Sequence, residues 1–212
     1  MRLLLFGCTG FVGRELLPLL LSGGHQLTVV SRRLARGYEA ERSDGRLVWL
    51  QLDPSSATSW QDQALLEALQ QADAVVNLAG EPIAEKRWTP AHMQVLEASR
   101  LQTTTLLVKA IAACSQPPAV LVNASAIGFY GSSLDERFVE SSPAGHDFLA
   151  SLCERWEAAA AAVPAGVRQL TLRIGIVLAA DGGALGKMLP VFRTGFGGPI
   201  GSGRQWMSWI HR

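Results

Sequence analysis

The sequence predicts an α/β fold in which one doubly wound parallel sheet is covered by helices on both faces. Short runs rich in Val, Leu and Ile alternate along the chain with segments of helical periodicity, which is the pattern of repeated βαβ units. The apolar runs do not alternate between apolar and polar residues, and this indicates strands that are buried on both faces. A glycine-rich turn joins the first run to the first helical segment.

The elements follow one another in the order that such a fold requires. The predicted strands are residues 3–6, 27–31, 47–52, 74–79, 119–125 and 169–178. The predicted helices between them are residues 11–24, 63–71, 89–114 and 147–162. Gly23 and Gly24 end the first helix, whereas Thr89 caps the third and Pro90 takes its first helical position.

The amino-acid composition of the sequence changes after residue 178. This segment is rich in Gly and aromatic residues, and we expect a short helix at about residues 185–192 and a strand at 206–210. We therefore predict a nucleotide-binding domain at residues 1–178 and the start of a substrate-binding region at 179–212. The chain stops at Arg212 without a cap or a polar tail, so we expect the natural protein to be longer.

Composition narrows the classes of protein to which the chain can belong. Hydrophobic residues make up 48% and charged residues 17% of 212 residues, which is typical of a globular domain with a sizeable core. The net charge of +1, without a basic stripe or an acidic run, argues against a nucleic-acid partner. Apolar runs are interrupted before ~18 residues, which argues against a membrane span.

The three cysteines are widely spaced and form no CxxC or Cys/His cluster. This spacing predicts neither a disulfide scaffold nor a metal site, and it favours a reducing compartment. The first residues run directly into a predicted strand, which leaves no room for a signal peptide. We therefore expect a cytoplasmic protein.

The first strand-to-helix turn carries Gly7, Gly10 and Gly13 in a GxxGxxG pattern. Glycine at these places permits a tight turn, a close approach of the backbone to a pyrophosphate, and close packing of the helix on the sheet. The free N–H groups of the helix N-terminus attract the same anion. The residues predicted to contact it are Gly7, Thr9, Gly10, Phe11, Val12 and Gly13.

The end of the second strand indicates which dinucleotide binds. Sites that prefer NAD usually have a carboxylate at this place, where it accepts from the ribose 2′-OH. Here Ser31, Arg32 and Arg33 offer a hydroxyl and two guanidinium groups, which match a 2′-phosphate. We predict NADP rather than NAD, with a solvated basic turn as the alternative.

Further cofactor contacts are expected at the carboxyl ends of the next strands. Leu78, Ala79 and Gly80 end the fourth strand, where ligands cross such sheets. Asp53 either accepts from an adenine amino group or makes an ordinary Asp-Pro turn. Arg100 either faces the cofactor pocket or forms a salt bridge with Glu97.

Several motifs together resemble those of the extended short-chain dehydrogenase/reductases. They are "LLLFGCTGFVG", "VVNLAG", "VNASAIGFYG" and "LRIGIVL". "NLAGEPI", "SRLQTT", "SAIGFYG" and "GGPIGSGRQWMSWIH" are more narrowly similar to an atypical group known as epimerase family proteins, also labelled NAD-dependent epimerase/dehydratase. The resemblance implies a Rossmann fold and adds Ser125 and Ile174 to the cofactor contacts.

In the extended members a Ser or Thr, a Tyr and a Lys perform catalysis. The equivalent places here are Ala126, Leu149 and Cys153, so the catalytic residues stay unassigned. Three residues are candidates for a substrate pocket: Tyr130, Lys187 and Arg204. The alternative is a structural role for Tyr130 and Arg204 and a solvated side chain for Lys187.

The resemblance implies an NADP-binding protein of the short-chain dehydrogenase/reductase type. Its reaction would be that of an oxidoreductase or a nucleotide-sugar epimerase without the usual Ser-Tyr-Lys residues, acting on a small molecule. The alternative is a non-catalytic, NADP-binding regulatory protein in cell or plastid-type division, a label that some relatives carry. We expect a monomer or a homodimer.

Overall fold

The computed structural model describes residues 1–34, 36–199 and 201–212. The strands of the main sheet are β1 (Arg2–Phe6), β2 (Gln26–Ser31), β3 (Leu47–Gln51), β4 (Ala74–Asn77), β5 (Val120–Ala126) and β6 (Arg168–Ile174). The helices are α1 (Gly13–Ser22), α2 (Glu39–Ser43), α3 (Gln63–Gln71), α4 (Pro90–Ala113), α5 (Phe148–Ala161) and α6 (Gly183–Arg193). Short 3-10 helices occupy Ala57–Gln61 and Ile127–Tyr130.

Within the described residues, the main sheet has six strands in the order β3-β2-β1-β4-β5-β6, and all of its neighbouring strands are parallel. This confirms the predicted doubly wound fold. The strands β2 and β3 extend the sheet on one side of β1, and β4, β5 and β6 extend it on the other side, so the direction of the strand order reverses between β1 and β4. Ligands bind at such a reversal, outside the carboxyl ends of the strands.

The sheet is buried on both faces, as its apolar strands predict. Alternate residues of β1 belong to two different apolar clusters, with Leu4 in one and Leu5 in the other. The first cluster includes Leu107 of α4, and the second includes Leu17 of α1. Helices therefore cover both faces and leave the carboxyl edge of the sheet open.

The helix N-termini differ in how their N–H groups are satisfied. The side chain of Thr89 accepts from the His92 N–H before α4, as predicted, and Asp147 accepts from the Ala150 N–H before α5. At the start of α1 the N-cap residue is Val12, which makes no side-chain cap. Of these three helices, α1 is the one without a capping side chain, and its N-terminus follows the glycine-rich turn. Its free N–H groups are therefore suited to bind an anion.

The predicted single strand at residues 169–178 is wrong, because the chain divides at Gly175. Residues after it form β7 (Ile176–Ala179), which pairs in parallel with β8 (Trp209–His211) in a separate sheet. A Cβ atom on Gly175 would lie 3.1 Å from the Ser208 carbonyl oxygen, so the backbone of a distant segment passes close by at this point. The predicted domain division at residue 178 falls within β7, and it stays a prediction.

The segment beyond β7 presents apolar side chains to solvent. Trp206 is 93% exposed and Phe196 is 85% exposed, and every residue of β8 is exposed. None of the described helices is long and apolar enough to span a bilayer.

Candidate nucleotide-binding site

The glycine-rich turn packs tightly against its neighbours at two of its three glycines. Gly7 has a φ of +75°, and a Cβ atom there would lie 2.4 Å from the carbonyl carbon of Leu78. A Cβ atom on Gly13 would lie 2.2 Å from the Cα atom of Cys8. The nearest atom to a Cβ on Gly10 is the Gly7 carbonyl oxygen at 3.2 Å. Gly7 and Gly13 thus hold the turn in place, whereas Gly10 leaves its outer side open.

A cleft of about 470 Å³ lies in front of this turn, at the carboxyl ends of the strands. It contains most of the residues that the sequence predicts as cofactor contacts. The predicted residues that line it are Gly7, Thr9, Gly10, Phe11, Val12, Gly13, Ser31, Arg32, Asp53, Leu78, Ala79, Gly80 and Ile174. Arg33, Arg100 and Ser125 are predicted contacts that lie outside this lining.

The end of β2 presents one guanidinium group to the cleft. The Arg32 side chain is 67% exposed, and Arg33 is also exposed but does not line the cleft. The Ser31 hydroxyl donates to the Arg33 carbonyl oxygen and accepts from Trp49 Nε1 at 2.8 Å. Since a hydroxyl has one hydrogen, Ser31 in this arrangement has none left to donate to a phosphate.

Asp53 makes the local turn that is one of the two alternatives for this residue. Its Oδ1 atom accepts from the N–H of Ser55 at 3.0 Å and from the Ser55 hydroxyl at 2.7 Å, which is a local turn. Asp53 also lines the cleft, and its contact with an adenine amino group stays a prediction.

A buried amide network lies directly behind the end of β4. Asn77 Oδ1 accepts from the Ala79 N–H at 3.1 Å, and Asn77 Nδ2 donates to Asn123 Oδ1 at 2.7 Å and to Thr104 Oγ1 at 3.0 Å. Trp156 Nε1 donates to the same Thr104 oxygen at 2.8 Å. The network fixes the backbone that lines the cleft. The network was not predicted from the sequence, although an asparagine in each of two neighbouring apolar strands, Asn77 and Asn123, is a usable signal.

Two hydrogen bonds fix the main chain of Glu81, one at its N–H group and one at its carbonyl oxygen. Its N–H donates to Ser99 Oγ at 2.9 Å, and its carbonyl oxygen accepts from Arg100 Nη2 at 3.0 Å. Arg100 therefore anchors the loop that lines the cleft. Burial lowers the pKa of Arg100. The alternative salt bridge of Arg100 with Glu97 does not form, because Glu97 pairs with Arg155.

The carboxylate of Glu81 also lines the cleft and has two cationic partners. Lys86 Nζ lies 3.1 Å from Oε1, and Arg32 Nη2 lies 3.7 Å from Oε2. The hydrogen bond from Lys86 lowers the pKa of Glu81, and burial opposes this effect. Glu81 is not among the site residues predicted from the sequence.

Comparison with known proteins identifies the family. The model of the NAD dependent epimerase/dehydratase family matches residues 3–211. The chain belongs to this family. The match confirms the resemblance drawn from the motifs.

Two epimerase family proteins are similar to this chain over all or nearly all of its length. Human epimerase family protein SDR39U1 is 41% identical over 100% of this chain, which spans 66% of that protein. The chloroplastic SDR39U1 homolog of Arabidopsis thaliana is 39% identical over 97% of this chain and 57% of its own length. Because one relative is chloroplastic, the compartment of this chain stays a prediction.

Two solved structures of the family resemble the fold closely. Human SDR39U1 (isoform 2), crystallised with NADPH, has a TM-score of 0.82 at 40% identity, and the match covers 100% of this chain and 66% of that one. A nucleoside-diphosphate sugar epimerase from Corynebacterium glutamicum has a TM-score of 0.74 at 34% identity, with 99% of this chain and 40% of that one covered.

Ala126, Leu149 and Cys153, which the resemblance predicts at the catalytic places, have apolar or buried surroundings. Leu149 packs beside Gly128, and burial raises the pKa of the Cys153 thiol. Ala126 ends β5, and the neighbouring Ser125 hydroxyl donates to Glu157 rather than into the cleft. Ser125 thus lies on the side of β5 opposite to Ala124, which lines the cleft.

Tyr130, a substrate-pocket candidate, takes part in a charged cluster, as in its structural alternative. Arg173 on β6 donates through Nε and Nη2 to the two carboxylate oxygens of Glu157, at 2.9 and 2.8 Å. Its Nη1 atom donates to the Tyr130 hydroxyl at 2.9 Å, and its guanidinium lies 3.5 Å from the centre of the Phe129 ring. Hydrogen bonding to Glu157 raises the pKa of Arg173. An arginine near the carboxyl end of β6 was the available signal.

The two remaining substrate-pocket candidates lie outside the described cleft lining. Lys187 Nζ on α6 donates to the Ala84 carbonyl oxygen at 2.8 Å, and so joins α6 to the loop after β4. Arg204 is exposed, and its N–H donates to Ser202 Oγ at 3.3 Å. Among the residues that the structure describes, no group of three or more His, Cys, Asp or Glu is placed to hold a metal.

A second cleft of about 470 Å³ lies on the other side of Thr9. Cys8, Arg14 and Arg36 are among the residues that line it. Burial raises the pKa of the Cys8 thiol to about 12, so this cysteine is un-ionised near neutral pH. The described lining of this cleft includes none of the three glycines of the glycine-rich turn.

Proposed function

We propose that this chain binds NADP in the cleft before the glycine-rich turn. In this proposal the pyrophosphate lies against the free N–H groups at the start of α1, and the 2′-phosphate lies beside Arg32 at the end of β2. The observation that carries the proposal is the end of β2, where Ser31 and Arg32 line the cleft and the strand itself contributes a guanidinium instead of a carboxylate. A carboxylate at that place is what an NAD site usually requires.

The family comparison supports this choice of cofactor. The human relative at 40% identity was crystallised with NADPH, and its matched region spans the whole of this chain. The agreement between that ligand and the charge beside the cleft favours NADP over NAD.

We further propose that the chain supplies the cofactor-binding part of an NADP-dependent oxidoreductase or nucleotide-sugar epimerase. NADP accepts or gives a hydride, so the substrate must offer a carbonyl or an alcohol carbon in front of the nicotinamide. The relative named as a nucleoside-diphosphate sugar epimerase, at 34% identity, supports a sugar-like substrate. Since Leu149 and Cys153 stand at the usual Tyr and Lys places, the proton must be moved by another group.

Reversing the charge of Arg32 tests the cofactor proposal. We expect Arg32→Asp to weaken NADP⁺ binding by about 10- to 100-fold, because a charge-assisted hydrogen bond is lost and a carboxylate faces the 2′-phosphate. NAD⁺ lacks this phosphate, so its affinity should change far less. Isothermal titration calorimetry of both nucleotides against both proteins measures the difference.

Arg33→Asp is the matched control for this experiment. It makes the same change of charge one residue away, on a side chain that does not line the cleft. We expect it to weaken NADP⁺ much less than Arg32→Asp does. Equal losses of NADP⁺ and NAD⁺ in Arg32→Asp would rule out a 2′-phosphate contact at Arg32.

A further inference from the structure

An ion pair joins the two sides of the nucleotide cleft. Arg32 follows β2 and Glu81 follows β4, and β1 lies between these strands in the sheet. The turn that leaves β1 is the glycine-rich turn, so it also lies between the two residues. Arg32 Nη2 and Glu81 Oε2 are nevertheless 3.7 Å apart, and both side chains line the cleft. We call this pair the Arg32–Glu81 bridge.

We infer that Glu81 competes with the 2′-phosphate of NADP for Arg32 and thereby sets how strongly the protein prefers NADP over NAD. This inference rests on the proposed function. It concerns a different residue and a different quantity, which is the ratio of the two affinities rather than the presence of binding.

The two side chains of the Arg32–Glu81 bridge differ in how freely they can move. Glu81 is fixed by its main-chain bonds to Ser99 and Arg100, its side chain is 13% exposed, and Lys86 holds its other carboxylate oxygen. The Arg32 side chain is 67% exposed. Glu81 therefore stays in place when a ligand enters, and Arg32 is the partner that moves.

The bridge affects the two nucleotides unequally. A 2′-phosphate carries up to two negative charges and draws Arg32 away from Glu81, so NADP must break the bridge as it binds. NAD has a hydroxyl at this place and leaves the bridge intact. The charge of Glu81 also repels the pyrophosphate, but this repulsion is the same for both nucleotides and cancels in the ratio of their affinities.

Neutralising Glu81 tests the inference. We expect Glu81→Gln to raise the ratio of NADP⁺ affinity to NAD⁺ affinity by about two- to five-fold, the range that fits an exposed ion pair. We expect Lys86→Gln to lower the same ratio, because Glu81 then relies on Arg32 alone. The dissociation constants of both nucleotides are measured by calorimetry at one fixed ionic strength. Thermal unfolding checks that each variant is folded.

Two controls separate the bridge from other effects of charge. Glu85→Gln makes the same change of charge in the same loop, at an exposed residue outside the cleft lining, and it should leave the ratio unchanged. In an Arg32→Gln background, Glu81→Gln should no longer change the ratio, because the competing partner is gone.

The outcomes distinguish this inference from the proposed function. If the wild type prefers NADP⁺ but Glu81→Gln leaves the ratio unchanged or lowers it, the inference is overturned and the proposed function stands. A rise in the ratio that persists without Arg32 also overturns it. If the wild type binds neither nucleotide, the proposed function fails and this inference fails with it.

Discussion

Replacing Arg173 with methionine is expected to lower the free energy of unfolding by about 2–4 kcal/mol, slightly less than the loss for a fully buried ion pair. The side chains of Arg173 and Glu157 are 20% and 14% exposed, so little water reaches their two hydrogen bonds. Without the arginine, the Glu157 carboxylate keeps one hydrogen-bond partner among the described residues, the Ser125 hydroxyl. Urea unfolding monitored by tryptophan fluorescence measures the change.

Arg155→Met is the matched control, because Arg155 also pairs with a glutamate. The side chains of that pair are 45% and 32% exposed, and we expect its loss to cost less than about 1 kcal/mol. Similar losses in the two variants would show that the Arg173 cluster does not stabilise the fold in the way its burial indicates.

Replacing Gly7 with alanine is expected to lower the free energy of unfolding by about 2–5 kcal/mol, because the cost of a left-handed backbone at alanine adds to the cost of a steric clash. The residue has a φ of +75°, and its Cβ atom would meet the backbone of Leu78 at 2.4 Å. Neither the backbone of the turn nor that of β4 can move without disturbing the sheet. We also expect NADP⁺ binding to be lost, since the turn is displaced from the cleft.

Gly24→Ala separates these two costs. Gly24 has a φ of +76°, but a Cβ atom there would meet nothing within 4 Å. We expect the free energy of unfolding of this variant to fall only by the cost of a left-handed backbone at alanine, about 1–2 kcal/mol. We expect it to bind NADP⁺ normally. If both alanine variants were equally stable, the contact of the turn with β4 would not limit which residues fit at position 7.

The parts of the site that the sequence predicts are those set by short stretches of chain. The glycine-rich turn, the basic end of β2 and the small residues after β4 are each encoded by a few adjacent residues. The carboxyl ends of parallel strands necessarily meet at one edge of the sheet. The strands therefore bring these stretches together once their order is known, and the structure places most of the predicted contacts in one cleft.

The parts that the sequence does not predict depend on partners far away in the chain. The division of the strand at Gly175 depends on the backbone at Ser208. The hydroxyl of Ser31 is engaged by Trp49 on the neighbouring strand. Glu81 becomes visible as a functional candidate only when the fold brings its carboxylate to Arg32.

A crystal structure of the chain with NADP⁺ is the measurement that tests the central claim most directly. We expect the pyrophosphate oxygens to lie within hydrogen-bonding distance of the main-chain N–H groups of residues 11–13, and the 2′-phosphate to lie on Arg32 with the Arg32–Glu81 bridge open. A nucleotide in the second cleft beside Cys8 and Arg36, or a 2′-phosphate that does not touch Arg32, would contradict the claim.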